Sequence, residues 1–532
     1  MQTRFLREHT AVLCLAAAAV VVIVARACLQ NITIDEASSY LVFASPSMPR
    51  SHWHPSSGNH VLNSILMRLA TLAFGISELT VRLPAILGAL IYITSSAYIC
   101  LLITSRKLIQ VPLFICLVYN PMILDYLVAA RGYSLAIAFL LAALAVIANI
   151  MIEREPGDMT AVRRKCAWAS AFLALSFSAN FSFAIADATT ILLFFLWMAV
   201  QNRRSGRSGS VRLAVSCFLP GIVIAFGLCG SVLLAWPKGQ LYFGSRSLSE
   251  MWSGLRAATF DDPNPNMVNP ALLRLLDEIR TLLPYITLLT LMLLLASIEL
   301  GRWRARIPRA SGVSGWRSLL DVLLGDATGG PGTDGLLAFT RLSVAIAVTT
   351  LLLHWIAFSW MQLLLPQTRT GLFFVAFWTL VFGSAVALRL RKARWDVAGS
   401  FGVAVLIVVA LYFAGCLRLT YFREWKFDLD TKQVYWTVYN LHRRCGITDF
   451  GTNFRYHMSM NFYRTAYGHY ILKEFPPSSD RKLPDNRSAC VIFFPESEEF
   501  IQQQRPQVVY RNDDSGSGVV IRGCAANARP ND

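Results

Sequence analysis

Runs of about twenty apolar residues recur along this chain, beginning with AVLCLAAAAVVVIVARACL. Each is long enough to cross a bilayer core of about 30 Å as a helix. Lipid leaves backbone polar groups to be satisfied within the segment, so helices are expected; a barrel would show short alternating segments instead. Composition agrees. The 532 residues are 55% hydrophobic and only 15% charged, with a mean hydropathy of +0.47. A soluble domain carries more charge. The expectation is a mostly α, polytopic membrane bundle of about eleven helices. They fall at 11–29, 81–104, 108–124, 132–152, 166–180, 184–200, 212–236, 280–300, 338–360, 371–388 and 397–417.

The net charge of +17 raises the question of nucleic acid. Its distribution answers it. The basic clusters at 105–107, 163–165, 202–207, 302–309 and 389–394 fall between apolar runs, which is how cytoplasmic loops are marked. There is no basic stripe interleaved with aromatics, so no nucleic-acid surface is expected. With the N-terminus inside, all five clusters are cytoplasmic, and residues 30–80 and the tail lie outside. The localisation expected is a cell (inner or plasma) membrane. The first run has a second reading as a signal peptide ending at Ala25-Arg-Ala27, but an Arg at that site and the length of the run oppose it.

The chain divides into a membrane domain, 1–417, and a tail, 418–532. The tail reads as a small extracytoplasmic α/β domain, with a helix in DTKQVYWTVYNLHRRCG and short strands in SACVIFFPE and GVVIRGC. Among Cys445, Cys490 and Cys524 one disulfide is expected, with the pairing open. Residues 301–336 read as a linker around the helix WRSLLDVLL.

The first outer loop begins NITIDEASSY, which puts two carboxylates where a hydrophobic helix leaves the membrane. One explanation is a helix start, since Thr33 and Glu36 fit a capping box. The same loop also carries His52, His54 and His60, then an apolar stretch of helical period from Val61. Such a helix lies in the interface rather than across it. Carboxylates and imidazoles held against the bilayer suit a lipid-linked head group.

These residues resemble those of the GT-C membrane glycosyltransferases, in the branch of protein O-mannosyltransferases and lipid A aminoarabinose transferases. The matching elements are Asp35-Glu36-Ala37, Gly58-Asn59-His60 and Glu78-Leu-Thr-Val-Arg82-Leu-Pro84. A further match runs from Asn120 through Arg131-Gly-Tyr133, and a weaker one is Pro366-Gln-Thr-Arg369. The chain departs from the family in offering Asn180 where a His is usual, and Val61 where Pro is usual. The resemblance implies transfer of a hexosyl or pentosyl group from a polyprenyl-phosphate sugar to a lipid, glycan or protein acceptor, with inversion.

In that family Asp35 corresponds to the general base, with Glu36 beside it. The leaving phosphate needs fixed cations, and Arg131 and Arg369 fit because a guanidinium forks onto phosphate oxygens. Tyr133 follows Arg131 and belongs to the same donor-binding group. Interfacial snorkelling suits Arg68 and Arg82. His54, His60 and Glu78 are substrate or metal candidates. Some relatives hold a divalent metal on a Glu/His site, which Glu78 and His60 match, but a lone His is more often a hydrogen-bonding group. Asp125 and the Asp261-Asp262 pair are weaker, the last being most simply a solvated turn. Competing readings are a transporter or flippase, which predicts inverted repeats and midplane charges, and a non-catalytic scaffold.

Overall fold

The computed structural model describes residues 2–46, 50–153, 159–204, 210–237, 243–266, 268–306, 333–392, 396–476 and 487–522. The helices of the membrane region begin with α1 (Gln2–Leu29), α2 (Ile34–Ser38), α3 (Val61–Phe74) and α4 (Glu78–Ile103). They continue through α5 (Lys107–Val118), α6 (Pro121–Val128), α7 (Tyr133–Ile152), α8 (Met159–Ala179), α9 (Ala184–Arg204) and α10 (Ser210–Leu234). The series ends with α11 (Leu248–Thr259), α12 (Pro270–Arg280), α13 (Leu283–Arg306), α14 (Thr333–Met361), α15 (Leu372–Lys392) and α16 (Val397–Gly415).

Among the described residues, nine helices are long and apolar enough to cross a membrane. With the composition, this makes the chain a multi-pass membrane protein. The expected span at 108–124 is instead two helices, α5 and α6, bent by 52°. The sequence shows why. Pro121 has no amide proton to continue the ladder, and Asn120 caps the new helix by accepting from Met122 N and Ile123 N at 3.0 and 3.2 Å. The expected span at 166–180 is α8, whose apolar part starts only after Arg163-Arg164-Lys165. It packs between α7 and α10. The stretch from Val61 is the short apolar helix anticipated for the interface. Gly75, at φ 78°, ends it in a conformation open to glycine.

The tail contains α17 (Thr431–Cys445), α18 (His457–Ala466) and α19 (Glu498–Gln504), with strands β1 (Gly451–Thr452), β2 (Ala489–Phe493), β3 (Gln507–Arg511) and β4 (Ser517–Ile521). The sheet order is β1-β2-β4-β3; β1 pairs parallel to β2, and the other pairs are antiparallel. Cys445 is disulfide-bonded, and Cys490 is a buried thiol on β2. Cys524 and the WRSLLDVLL segment lie outside the described residues.

Apart from a small cluster of Cys490, Ile492 and Val520, the core of the tail is shared. Val434, Tyr435, Val438 and Tyr463 share one buried cluster with Ile32, Ala37, Tyr40, Met67, Val81 and Ala130. The apolar face of the tail is therefore completed by the first outer loop and the starts of the membrane helices.

At the join sits Arg82, and here the snorkelling expectation fails. Its side chain is fully buried. The Nε and one terminal nitrogen fork onto Glu36 at 2.8 and 2.7 Å. The remaining donors reach the carbonyls of Ala27, Gln30 and Asn31 at 3.0, 2.7 and 2.8 Å. A guanidinium has five donors, and here they complete the end of α1, which otherwise leaves carbonyls unpaired. Glu36 is equally saturated. It also accepts from Thr33 N at 2.9 Å and from Ala130 N at 2.7 Å. One buried ion pair thus ties α1, α2, α4 and the α6–α7 junction together. A second buried pair, Arg26 with Asp125 at 2.5 Å, joins α1 to α6. Removing one partner of such a pair strands a charge. Glu36→Gln is expected to destabilise the protein by about 3–5 kcal/mol. The check is thermal unfolding in detergent; an unchanged midpoint would show that Glu36 is no more than a helix cap.

Candidate active site

Asp35 and Glu36 are neighbours with opposite surroundings. Both stand in the first turn of α2, where the capping box forms as the sequence implied: Thr33 Oγ1 accepts from Glu36 N at 3.2 Å, and Glu36 returns the bond. Asp428 from the tail adds a clamp. Its carboxylate accepts from Ile34 N at 2.9 Å, from Thr431 Oγ1 at 2.9 Å and from Ser459 Oγ at 3.2 Å. Burial pushes the Asp428 carboxyl well above its ordinary value, against the pull of those three bonds. Tyr463 also reaches this turn, accepting from Ile32 N at 3.2 Å.

With its backbone so fixed, Asp35 projects a carboxylate that is one quarter exposed. Its Oδ2 lies 3.5 Å from Arg131 and 3.3 Å from Arg369, and it accepts no hydrogen bond. Sequence positions 35, 131 and 369 therefore converge. Each arginine is held from behind. Arg131 follows Ala130, whose amide is pinned by Glu36, and its guanidinium bonds Asp35 O at 3.3 Å. Gly132 comes next in a place that admits no side chain: a Cβ there would stand 1.8 Å from Ala179 O and 2.7 Å from His60 Cβ. Arg369 sits on a 3-10 turn, Thr368–Gly371, with Thr368 at a left-handed φ of 42°. Its guanidinium lies over the Phe243 ring at 4.4 Å and pairs with Glu424.

Glu424 was not anticipated. It accepts from Tyr126 Oη on its other oxygen. With Trp425 and Arg423 it belongs to YFREWKF, which the sequence presented only as the entry to the tail. The signal available was an alternation of aromatics and charges immediately after the last span. These residues, with Asp125, Phe243, Gln367 and Arg418, line a polar cavity of about 400 Å³ beside Arg369. An apolar cavity of about 330 Å³ lies along α11, which also lends Ala258 to the polar one, and is walled by Leu255, Leu291, Phe374, Trp378 and Phe413. Asp261 is not in a solvated turn. It is buried against Arg418 and, at 2.5 Å, Arg423, while Asp262 stays exposed.

The remaining candidates divide. Tyr133 is buried behind the site, 5.3 Å from His60 and 5.1 Å from Tyr126 between ring centres. His60 packs against Gly132 and Ala179. Burial first, then the charges of Arg131 and Arg369, hold its imidazole well below the ordinary value. His54 stacks on Phe43 and lines a different, wider cavity with Arg50 and Trp53. Glu78 is bound to Lys432 at 2.8 Å. No group of three or more His, Cys, Asp or Glu side chains able to hold a metal occurs among the described residues. With Glu78 engaged by an ammonium and His60 beside two guanidiniums, the pair does not fit a divalent cation. Asn180, standing where a His was looked for, caps a 3-10 turn by accepting from Ser182 N at 3.0 Å.

No family model and no curated protein matches the chain. Among solved structures it is similar to ArnT from Cupriavidus metallidurans in the apo state. The identity is 14% over 98% of this chain and 99% of that one, with a TM-score of 0.39. It is similar also to the archaeal oligosaccharyltransferase AglB from Archaeoglobus fulgidus, at 13% identity over 90% and 61% of the two chains and a TM-score of 0.40. The arabinosyltransferase EmbB from Mycobacterium smegmatis gives 12% identity over 79% and 42%, and a TM-score of 0.34.

The state of His60 carries a pH dependence. Unfolded, it titrates near about 6.5. Folded, it stays neutral to lower pH, so below that value the unfolded chain binds more protons and stability falls as the pH falls. Above about 7 the contribution is flat. Unfolding midpoints measured between about pH 7 and about pH 5 should decline less steeply in His60→Gln than in the native protein. Equal slopes would mean that His60 is protonated in the fold.

Proposed function

We propose that this chain is a membrane glycosyltransferase that moves a sugar from a polyprenyl-phosphate donor to a hydroxyl on a lipid, glycan or protein, with Asp35 as general base. The observation that carries the reading is the contrast between two adjacent carboxylates. Glu36 has four donors and is closed to chemistry. Asp35 Oδ2 has none, yet stands between two arginines. A base needs a lone pair available to the proton it takes.

The chemistry follows from what surrounds it. The acceptor oxygen attacks the anomeric carbon while Asp35 removes its proton. The bond from that carbon to the phosphate oxygen breaks, and its electron pair leaves on the polyprenyl phosphate. Attack opposite the leaving group inverts the centre. Charge grows on the phosphate, which Arg369, at the edge of the polar cavity, and Arg131 stabilise as fixed cations. A phosphate beside Arg369 competes with Asp35 and Glu424 for that guanidinium, which frees the base as the donor settles. The apolar cavity along α11 suits a prenyl chain. No step is assigned to a metal.

Helix direction supports an extracytoplasmic site. Lys107 starts α5, Arg163–Lys165 lie in the first turns of α8, and the basic ends of α9 and α15 are all remote from the Asp35 end of the bundle. Basic ends mark the cytoplasmic side, and on that rule we assign Asp35 and the tail to the other side.

Asp35→Asn keeps shape and loses the base. It is expected to fold normally and to lose transfer by a factor of about 10² or more. Transfer is measured from a synthetic polyprenyl-phosphate sugar and normalised to folded protein. Full activity would falsify the assignment. In the same assay Arg369→Ala should abolish transfer, while Arg131→Lys should retain part of it, since charge survives and the fork does not.

Asp428 touches no reacting atom and acts through α2. Asp428→Ala frees the Ile34 amide and lets Asp35 drift, so kcat should fall about tenfold or more with donor KM little changed. Asp428→Asn keeps an acceptor for Ile34 N and should recover most of the rate. If both variants lose rate equally, the clamp is not what positions Asp35.

A further inference from the structure

One face of the tail is aromatic and lacks a protein neighbour among the described residues. Trp436 and Tyr439 on α17 meet Tyr467, His469, Tyr470 and Ile471 from the segment after α18. Trp436, Tyr470 and Ile471 are 38, 62 and 63% exposed. The cluster is rigid. Tyr439 and His469 are stacked 3.9 Å apart at 9°, and Trp436 lies 5.0 Å from Tyr467. His469 Nδ1 is 2.9 Å from Tyr435 Oη. These rings are held in place and still leave a branched aliphatic side chain and two aromatics facing out. Exposed apolar surface of this kind marks a partner.

The position of the face identifies the partner. Lys432 stands one turn before Trp436 on the same helical stripe, and it pairs at 2.8 Å with Glu78, the first residue of α4. The 26 residues of α4 span roughly 39 Å, against about 30 Å of hydrocarbon. Glu78 therefore lies at head-group depth, and Trp436 beside it. At that end of α4 the chain exposes Leu72, Phe74 and Leu79 at 60, 72 and 38%. Arg464 lies 5.2 Å over the Tyr470 ring, and Arg443 continues the Trp436 stripe toward the end of α17.

We propose that this face is seated in the head-group layer of the leaflet on the Glu78 side, with Trp436, Tyr470 and Ile471 among the lipids. Aromatic side chains with one apolar and one polar edge collect at that depth, and the exposed Ile471 has no use in stacking a sugar. The seat continues the lipid-facing surface of α3 and α4, and the tail that it steadies is the part that clamps α2. The inference stands independently of the transferase reading.

The test uses the full chain in nanodiscs, made either of plain phosphatidylcholine and phosphatidylglycerol or of the same lipids brominated near the head-group end of the acyl chains. The emission of Trp436 is taken as the difference between the native protein and Trp436→Phe. It should be at least halved in the brominated discs, and Tyr470→Trp should add emission that is quenched alike. The second variant keeps the measurement decisive if Trp436→Phe folds poorly. Equal emission in brominated and plain discs overturns the proposal. So does quenching relieved by a soluble oligosaccharide, which would make the face a glycan platform, or a Trp436 signal that changes on dilution of the discs' protein, which would make it a contact between copies.

Discussion

The rest of the structure depends on a buried ion pair. Arg82 and Glu36 are both withdrawn from solvent, and every donor and acceptor that either offers is used. Taking two charges out of water is costly unless their remaining bonds are met. Here the carbonyls at the end of α1, the amide of Ala130 and the cap of α2 meet them. These are groups that would otherwise be orphaned at helix ends. The pair therefore solves several local problems at once and fixes the relative placement of four chain segments.

That placement is what makes Asp35 different from its neighbour. The cap and Glu36 hold the backbone of α2 from inside the membrane region, and Asp428 and Tyr463 hold it from the tail. Asp35 is left pointing away from both, at two arginines that come from loops far apart in sequence. The site is thus built at the contact between the bundle and the tail, where the loop after α1 and the starts of membrane helices share a buried cluster with the tail. Asp35 is the carboxylate that the structural bonds do not use.

Some of this was legible in the chain. Thr33 and Glu36 announced a cap, and the cap is there. The apolar period from Val61 announced a short apolar helix, and α3 is one. Asp35, Arg131 and Arg369 were picked by chemistry and resemblance, and they meet. Arg82 was misjudged because an arginine four residues into an apolar helix looks the same from sequence whether it snorkels or is buried; only its partners distinguish the two. Asp261 was misjudged for a similar reason. DDPNPN has the composition of a turn, and nothing local shows that Arg418 and Arg423 will close over it. Glu424 and Tyr126 were missed because their bond joins positions 298 residues apart.

By itself, the sequence determined the class of molecule, because that depends on local quantities. Apolar length decides what enters a bilayer. The break at Asn120-Pro121 and the end of α3 at Gly75 have local causes, since backbone chemistry acts over a few residues, although a single span was expected across the first. Tertiary structure alone decided the use of each charge. A carboxylate becomes a strut when hydrogen-bond donors surround it, as at Glu36 and Asp428, whereas Asp35 keeps one oxygen without a hydrogen bond, facing two arginines. That difference is set by groups brought from elsewhere in the chain, and electrostatic energy depends on distance in space, which sequence separation does not encode.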